Sequence, residues 1–173
     1  MSLCRSLYEQ YIFILNLSIT TGLVKMEIDD FIDVIKLITS KIPKNVKWAI
    51  DGSTSLALQG IDLKPHDIDI LTNSEGALAL NESLREYNVK PVTHSSNQKY
   101  DSFYGIFEIG GIKVEIMGDM KVFRNGEWSK IQNPDTINIV QLVREGFRIP
   151  VVSLQNQKES GYLDERRVKG RSG

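Results

Sequence analysis

Asp67-Ile68-Asp69-Ile70 constrains this chain more than any other stretch. Side chains alternate across a strand, so Asp67 and Asp69 share one face while Ile68 and Ile70 share the other. The apolar face needs a core. The acidic face needs a counter-charge, because two carboxylates two residues apart repel and raise at least one pKa. A divalent cation removes that conflict, and Mg²⁺ favours oxygen ligands of this kind. The chain therefore has to build a sheet with one packed face and one face that serves chemistry.

The rest of the pattern supplies such a sheet. Residues 26–42 read as an amphipathic helix, with Ile28, Phe31, Ile32, Ile35 and Ile38 on one stripe and Pro43 as the stop. A strand is expected at 46–50, a short helix at 54–59 with Gly60 after it, and a loop at 61–66. A strand at 67–71 and a helix at 77–87 follow. Residues 102–117 read as a hairpin turning on Gly110-Gly111, and a second hairpin is expected around Asn125-Gly126. Strands at 137–141 and 148–152 precede a last helix capped by Ser153 and running to about Arg166. The order indicates an α/β (α+β) domain, a mixed β-sheet with helices packed mainly on one face. Domain limits are read as an extension at 1–25, the domain at 26–169 and a tail at 170–173.

Two further features bear on chemistry. Glu115 stands between Val114 and Ile116, so it points away from whatever those residues pack against. Gly52-Ser53 turns the chain into a helix. A glycine there lets backbone N–H groups approach an anion, and Ser53 adds a hydroxyl.

Gly-Ser, then Asp-x-Asp flanked by hydrophobic residues, then a hydrophobic-acid-hydrophobic strand resembles the DNA polymerase beta-like nucleotidyltransferase superfamily. The likeness is to its small stand-alone members, the minimal nucleotidyltransferases, over roughly residues 26–132 and more loosely to 169. The resemblance implies Mg²⁺ or Mn²⁺ and a nucleoside triphosphate, with ATP the expected one. It implies that Asp67 and Asp69 bind metal, and that Glu115 lies beside them as a third ligand or a base. It implies that Gly52 and Ser53 touch phosphate. A late Arg-x-Lys pair of the family maps onto Arg167 and Lys169. The loop before Asp-x-Asp departs from the family, with Lys64-Pro65-His66 where an arginine is common; Lys64 keeps the charge without the bidentate fork. The third acid is Glu115 where many relatives carry Asp.

The implied activity is transfer of a nucleoside monophosphate from an NTP to a hydroxyl of a small molecule or protein, releasing pyrophosphate. The alternative is a non-catalytic nucleotide-binding or antitoxin-like module of the same fold. Formal net charge is −1, which argues against gripping bulk nucleic acid, since phosphate neutralisation needs a basic excess. One cysteine, Cys4, and no zinc-ligand spacing fit a cytoplasmic protein. The apolar run at 11–15 is too short to span a membrane. A homo-oligomer or a toxin–antitoxin partner fits the short chain. Other residues read as ordinary: His66 in a solvated loop, Asp51 ending a strand, Asp119 in a turn, Trp48 and Trp128 as packing residues without aromatic neighbours. Tyr100, Phe103 and Tyr104 read as hairpin packing ahead of base stacking.

Overall fold

The computed structural model describes residues 27–161. The first helix, α1, is Ile28–Lys41. Glu27 and Asp30 form a reciprocal capping box at its start, with the Glu27 N–H donating to Asp30 Oδ2 at 2.8 Å. Strand β1 (Trp48–Asp51) runs directly into α2 (Gly52–Leu58), so Gly52 and Ser53 form the first turn of that helix. Gly60 follows it in the left-handed region at φ +88°, the position a helix C-terminus reserves for glycine. Strand β2 is Ile68–Thr72, with Asp67 just before its first residue. Helix α3 (Ser74–Ser83) is capped by Asn73, whose side chain accepts from the Gly76 N–H, and a 3₁₀ turn at Arg85–Tyr87 replaces its expected last turn.

Four strands then follow: β3 (Asn88–Ser96), β4 (Tyr100–Ile109), β5 (Ile112–Arg124) and β6 (Glu127–Trp128). Both expected hairpin turns are present, with positive φ at Gly110, Gly111, Asn125 and Gly126. A third, at Glu145-Gly146, joins β7 (Ile139–Arg144) to β8 (Phe147–Val152). Helix α4 (Leu154–Glu159) is capped by Ser153, as expected, but ends well before Arg166.

The sheet order is β3-β4-β5-β2-β1-β8-β7, with β6 paired to β5 alone. β2 lies between β1, antiparallel, and β5, parallel, which puts Asp69 level with both Asp51 and Glu115. Phe31, Ile35 and Ile38 of α1, Ala77 and Leu80 of α3, and Leu58 of α2 pack with Ile50, Ile68, Ile70, Val114 and Ile116 of the sheet. Helices α1, α2 and α3 thus cover one face, in line with helices packed mainly on one side. A smaller cluster of Ala49, Leu71, Met120, Val122 and Val152 sits on the other face.

One irregularity lets β5 serve both faces. Asp119 takes φ +50°, and the pairing of β4 with β5 shifts register between Asp101 and Phe103. Upstream, Val114 and Ile116 face the helices; downstream, Met120 and Val122 join the opposite cluster. The kink therefore reverses the alternation of the strand at its middle.

Candidate active site

The face of the sheet centre opposite α1 and α3 holds the acids. Ligand oxygens of Asp67, Asp69 and Glu115 lie within 4.8 Å of one another, so the structure brings together the three carboxylates singled out from sequence. They line a cleft of 1080 Å³ with Asp51 and Gly52. Gly52 has φ +65°, and a Cβ built there would stand 2.0 Å from Asp69 Oδ2. Glycine is required twice over, by the backbone and by the carboxylate lying against it. Thr54 fixes the approach to β2, its hydroxyl donating to the Asp67 carbonyl.

Burial pushes the Asp69 carboxyl well above the usual range, and the neighbouring Asp67, Asp51 and Glu115 carboxylates push it further. Burial also raises Asp51, opposed by donation from the Gly52 N–H. Asp51 is thus part of the acidic centre, beyond its expected role as a strand end. Among the described residues, Lys113 supplies the positive charge drawn into the cluster: its Nζ is 3.0 Å from Asp67 Oδ2 and 3.3 Å from Glu115 Oε2. The Tyr104 hydroxyl donates to Glu115 Oε1. Desolvation and that contact push the Tyr104 phenol up, so it stays a donor. Three oxygen donors converging on a buried, repelling centre fit a divalent cation. Zinc-type nitrogen and sulfur ligands are absent from the group.

The remaining site expectations fare differently. Ser53 is fully buried, its Oγ without a hydrogen-bond partner, and it lies outside the cleft lining. Lys64 and His66 are exposed on the loop before Asp67, likewise outside the lining. Arg167 and Lys169 lie outside the described residues. Asp119 is a structural acceptor: its carboxylate takes the Ser74 N–H at 3.0 Å and Asn133 Nδ2 at 2.7 Å. Trp128 corrects the sequence reading. It lines the cleft, 43% exposed, and meets Phe123 edge-on at 5.3 Å, so it does have an aromatic neighbour. Tyr100 and Tyr104 also line the cleft, whereas Phe103 packs on the main core. Lys113, Thr54 and Tyr104 as a partner of Glu115 escaped the sequence reading. The signal for Lys113 was its place two residues before Glu115, hence on the same strand face.

Among the described residues, no helix is long and apolar enough to cross a membrane. Comparison with curated proteins gave no match. Among solved structures, a Thermotoga maritima protein assigned as a nucleotidyltransferase is 34% identical, covering 85% of this chain and 91% of that one with a TM-score of 0.72. ANT(2″)-Ia, solved with adenylyl-2″-tobramycin, is 17% identical over 70% of this chain and 68% of that one, with a TM-score of 0.46. The family model of the aminoglycoside-2″-adenylyltransferases matches residues 33–168. On that match, and with the acids of the sheet centre in place, this chain belongs to the aminoglycoside-2″-adenylyltransferase family of nucleotidyltransferases.

Proposed function

We propose that this nucleotidyltransferase moves a nucleoside monophosphate, from ATP by preference, to a hydroxyl of a small amine-bearing acceptor. The observation that carries this reading is the convergence of Asp67, Asp69 and Glu115 at the floor of the cleft. These three would hold Mg²⁺ or Mn²⁺, which when bound neutralises triphosphate charge and polarises the phosphoryl group. The Gly52 turn aims backbone N–H groups at the phosphates. Glu115, held by Tyr104, is placed to accept the hydroxyl proton. The acceptor oxygen forms a bond to the α-phosphorus, the bond to pyrophosphate breaks, and pyrophosphate leaves with that electron pair.

The acceptor class follows from the family match to the aminoglycoside-2″-adenylyltransferases. Besides the three ligands, Asp51, Glu127 and Glu159 line the cleft against Lys90, Arg124 and Lys130. The acids among them offer an amine-bearing acceptor its counter-charges. The binding-module alternative has no feature in its favour, since no acid of the cluster is lost. A cytoplasmic setting, where triphosphate is made, suits the reaction.

Thermal unfolding with Mg²⁺ and a non-hydrolysable ATP analogue tests the donor site. Ligand at about 100 times its Kd adds ~2.7 kcal/mol. At roughly 2–4 °C per kcal/mol for a domain of this size, the midpoint rises by several degrees. Asp69→Asn abolishes the shift. No shift with any nucleoside triphosphate would sink the reading, and pyrophosphate release in an aminoglycoside and amino-alcohol panel tests the acceptor class.

A further inference from the structure

The three carboxylates do not wait bare for a metal. Lys113 reaches across them, bridging Asp67 Oδ2 and Glu115 Oε2 while half its side chain stays in solvent. The parallel register of β2 and β5 fixes this placement. Ile68 is level with Val114 and Asp69 with Glu115, so Lys113 falls beside Asp67, on the face that carries the acids. Tyr104 occupies Glu115 Oε1, which leaves Oε2 to the ammonium. Two of the three prospective ligands therefore share one internal cation.

We propose that Lys113 is a built-in competitor of the divalent ion, and that it makes metal binding conditional on the triphosphate. This rests on the metal-site reading above. Lys113 neutralises the acids in the free protein, so a cation entering alone has to displace it into solvent. A long, half-exposed lysine can pivot about its stem. When a triphosphate arrives with the ion, the displaced ammonium gains phosphate oxygens as new partners. Metal and nucleotide then bind with positive coupling, which by linkage is reciprocal. The arrangement keeps the acids from collecting cations unproductively and commits the site only when the donor is present.

The test is Mn²⁺ titration, read by electron paramagnetic resonance, with and without a non-hydrolysable ATP analogue. Wild type, Lys113→Met, Lys113→Arg and Asp69→Asn are compared. We expect Lys113→Met to bind Mn²⁺ alone about tenfold more tightly than wild type, ~1.4 kcal/mol. We expect the enhancement of Mn²⁺ affinity by the analogue to shrink by a similar factor. Lys113→Arg should keep wild-type-like coupling. Equal Mn²⁺ affinity and equal coupling in wild type and Lys113→Met, with binding still lost in Asp69→Asn, would overturn the competitor and leave the metal site standing. Absence of binding in wild type and Lys113→Met, even with the analogue, would overturn both.

Discussion

Asp69 is flanked by like charge on both sides. It sits level with Asp51 on one neighbouring strand and Glu115 on the other, and Lys113 pairs with Asp67 and Glu115 instead. A carboxylate kept under repulsion for the sake of a ligand weakens the ligand-free protein. Asp69→Asn should therefore stabilise the metal-free enzyme by about 0.5–2 kcal/mol while destroying metal binding. Urea unfolding in chelator measures this. The pH dependence follows from the same residue. Its folded pKa is raised by burial first and by Asp67, Asp51 and Glu115 after, so the folded state holds that proton more tightly than the unfolded one. The contribution is present at acidic pH and is lost as pH rises through the raised pKa. Above the ordinary carboxylate range, the metal-free wild type should lose stability with rising pH, and Asp69→Asn should show a flatter profile. Asp67 and Asp69 were legible because strand alternation sets a side chain's face, whereas the place of Glu115 beside them came from the family resemblance. Lys113 was not, because its contact with Asp67 depends on which distant strand lies next to β2.

Elements were legible where their pattern is local. The stripe of α1, the glycine turn of β4–β5 and the Ser153 cap read directly from sequence. Strand β3 did not: Asn88, Lys90, Pro91, Thr93 and His94 give it a polar composition. It is an edge strand with interrupted pairing, and an edge tolerates proline because one of its sides needs no ladder bonds. β5 read as two pieces because Gly118-Asp119 interrupts its apolar run, at the point where the strand switches faces. That residue also ties the kink to the start of α3 and to the segment bearing Asn133. Against burial, which pushes its carboxyl up, donation from Asn133 and Ser74 holds it below the usual range. Asp119→Ala removes an acceptor from two donors and places alanine at φ +50°. We expect a loss of about 1–3 kcal/mol, measured by urea denaturation, with metal affinity affected less than stability. The Asp119 contribution is present above the ordinary aspartate pKa and is lost as pH falls through its lowered folded value.

At the scale of the molecule, the sheet divides two apolar clusters of unequal size, and the large one carries the fold. Ile70 is fully buried in it, directly behind the carboxylate of Asp69. Ile70→Ala should cost about 2–5 kcal/mol in equilibrium unfolding. The small cluster of Met120, Val122 and Leu71 lies on the cleft side, and Met120 and Val122 also line the cleft. The sheet's mixed character followed from the alternation of elements, whereas its strand order needed long-range pairing that no local pattern encodes. The reversal of β5 at Asp119 gives this arrangement a modular property. The half of the strand before the kink presents Glu115 to the acidic cluster, and the half after it presents Met120, Val122 and Arg124 to whatever fills the outer cleft. Because the two halves are phased independently, the downstream half can be resurfaced for a new acceptor while the register of Glu115 stays untouched; deleting the extra residue at the kink would instead close the bulge and tie both halves to one pairing register.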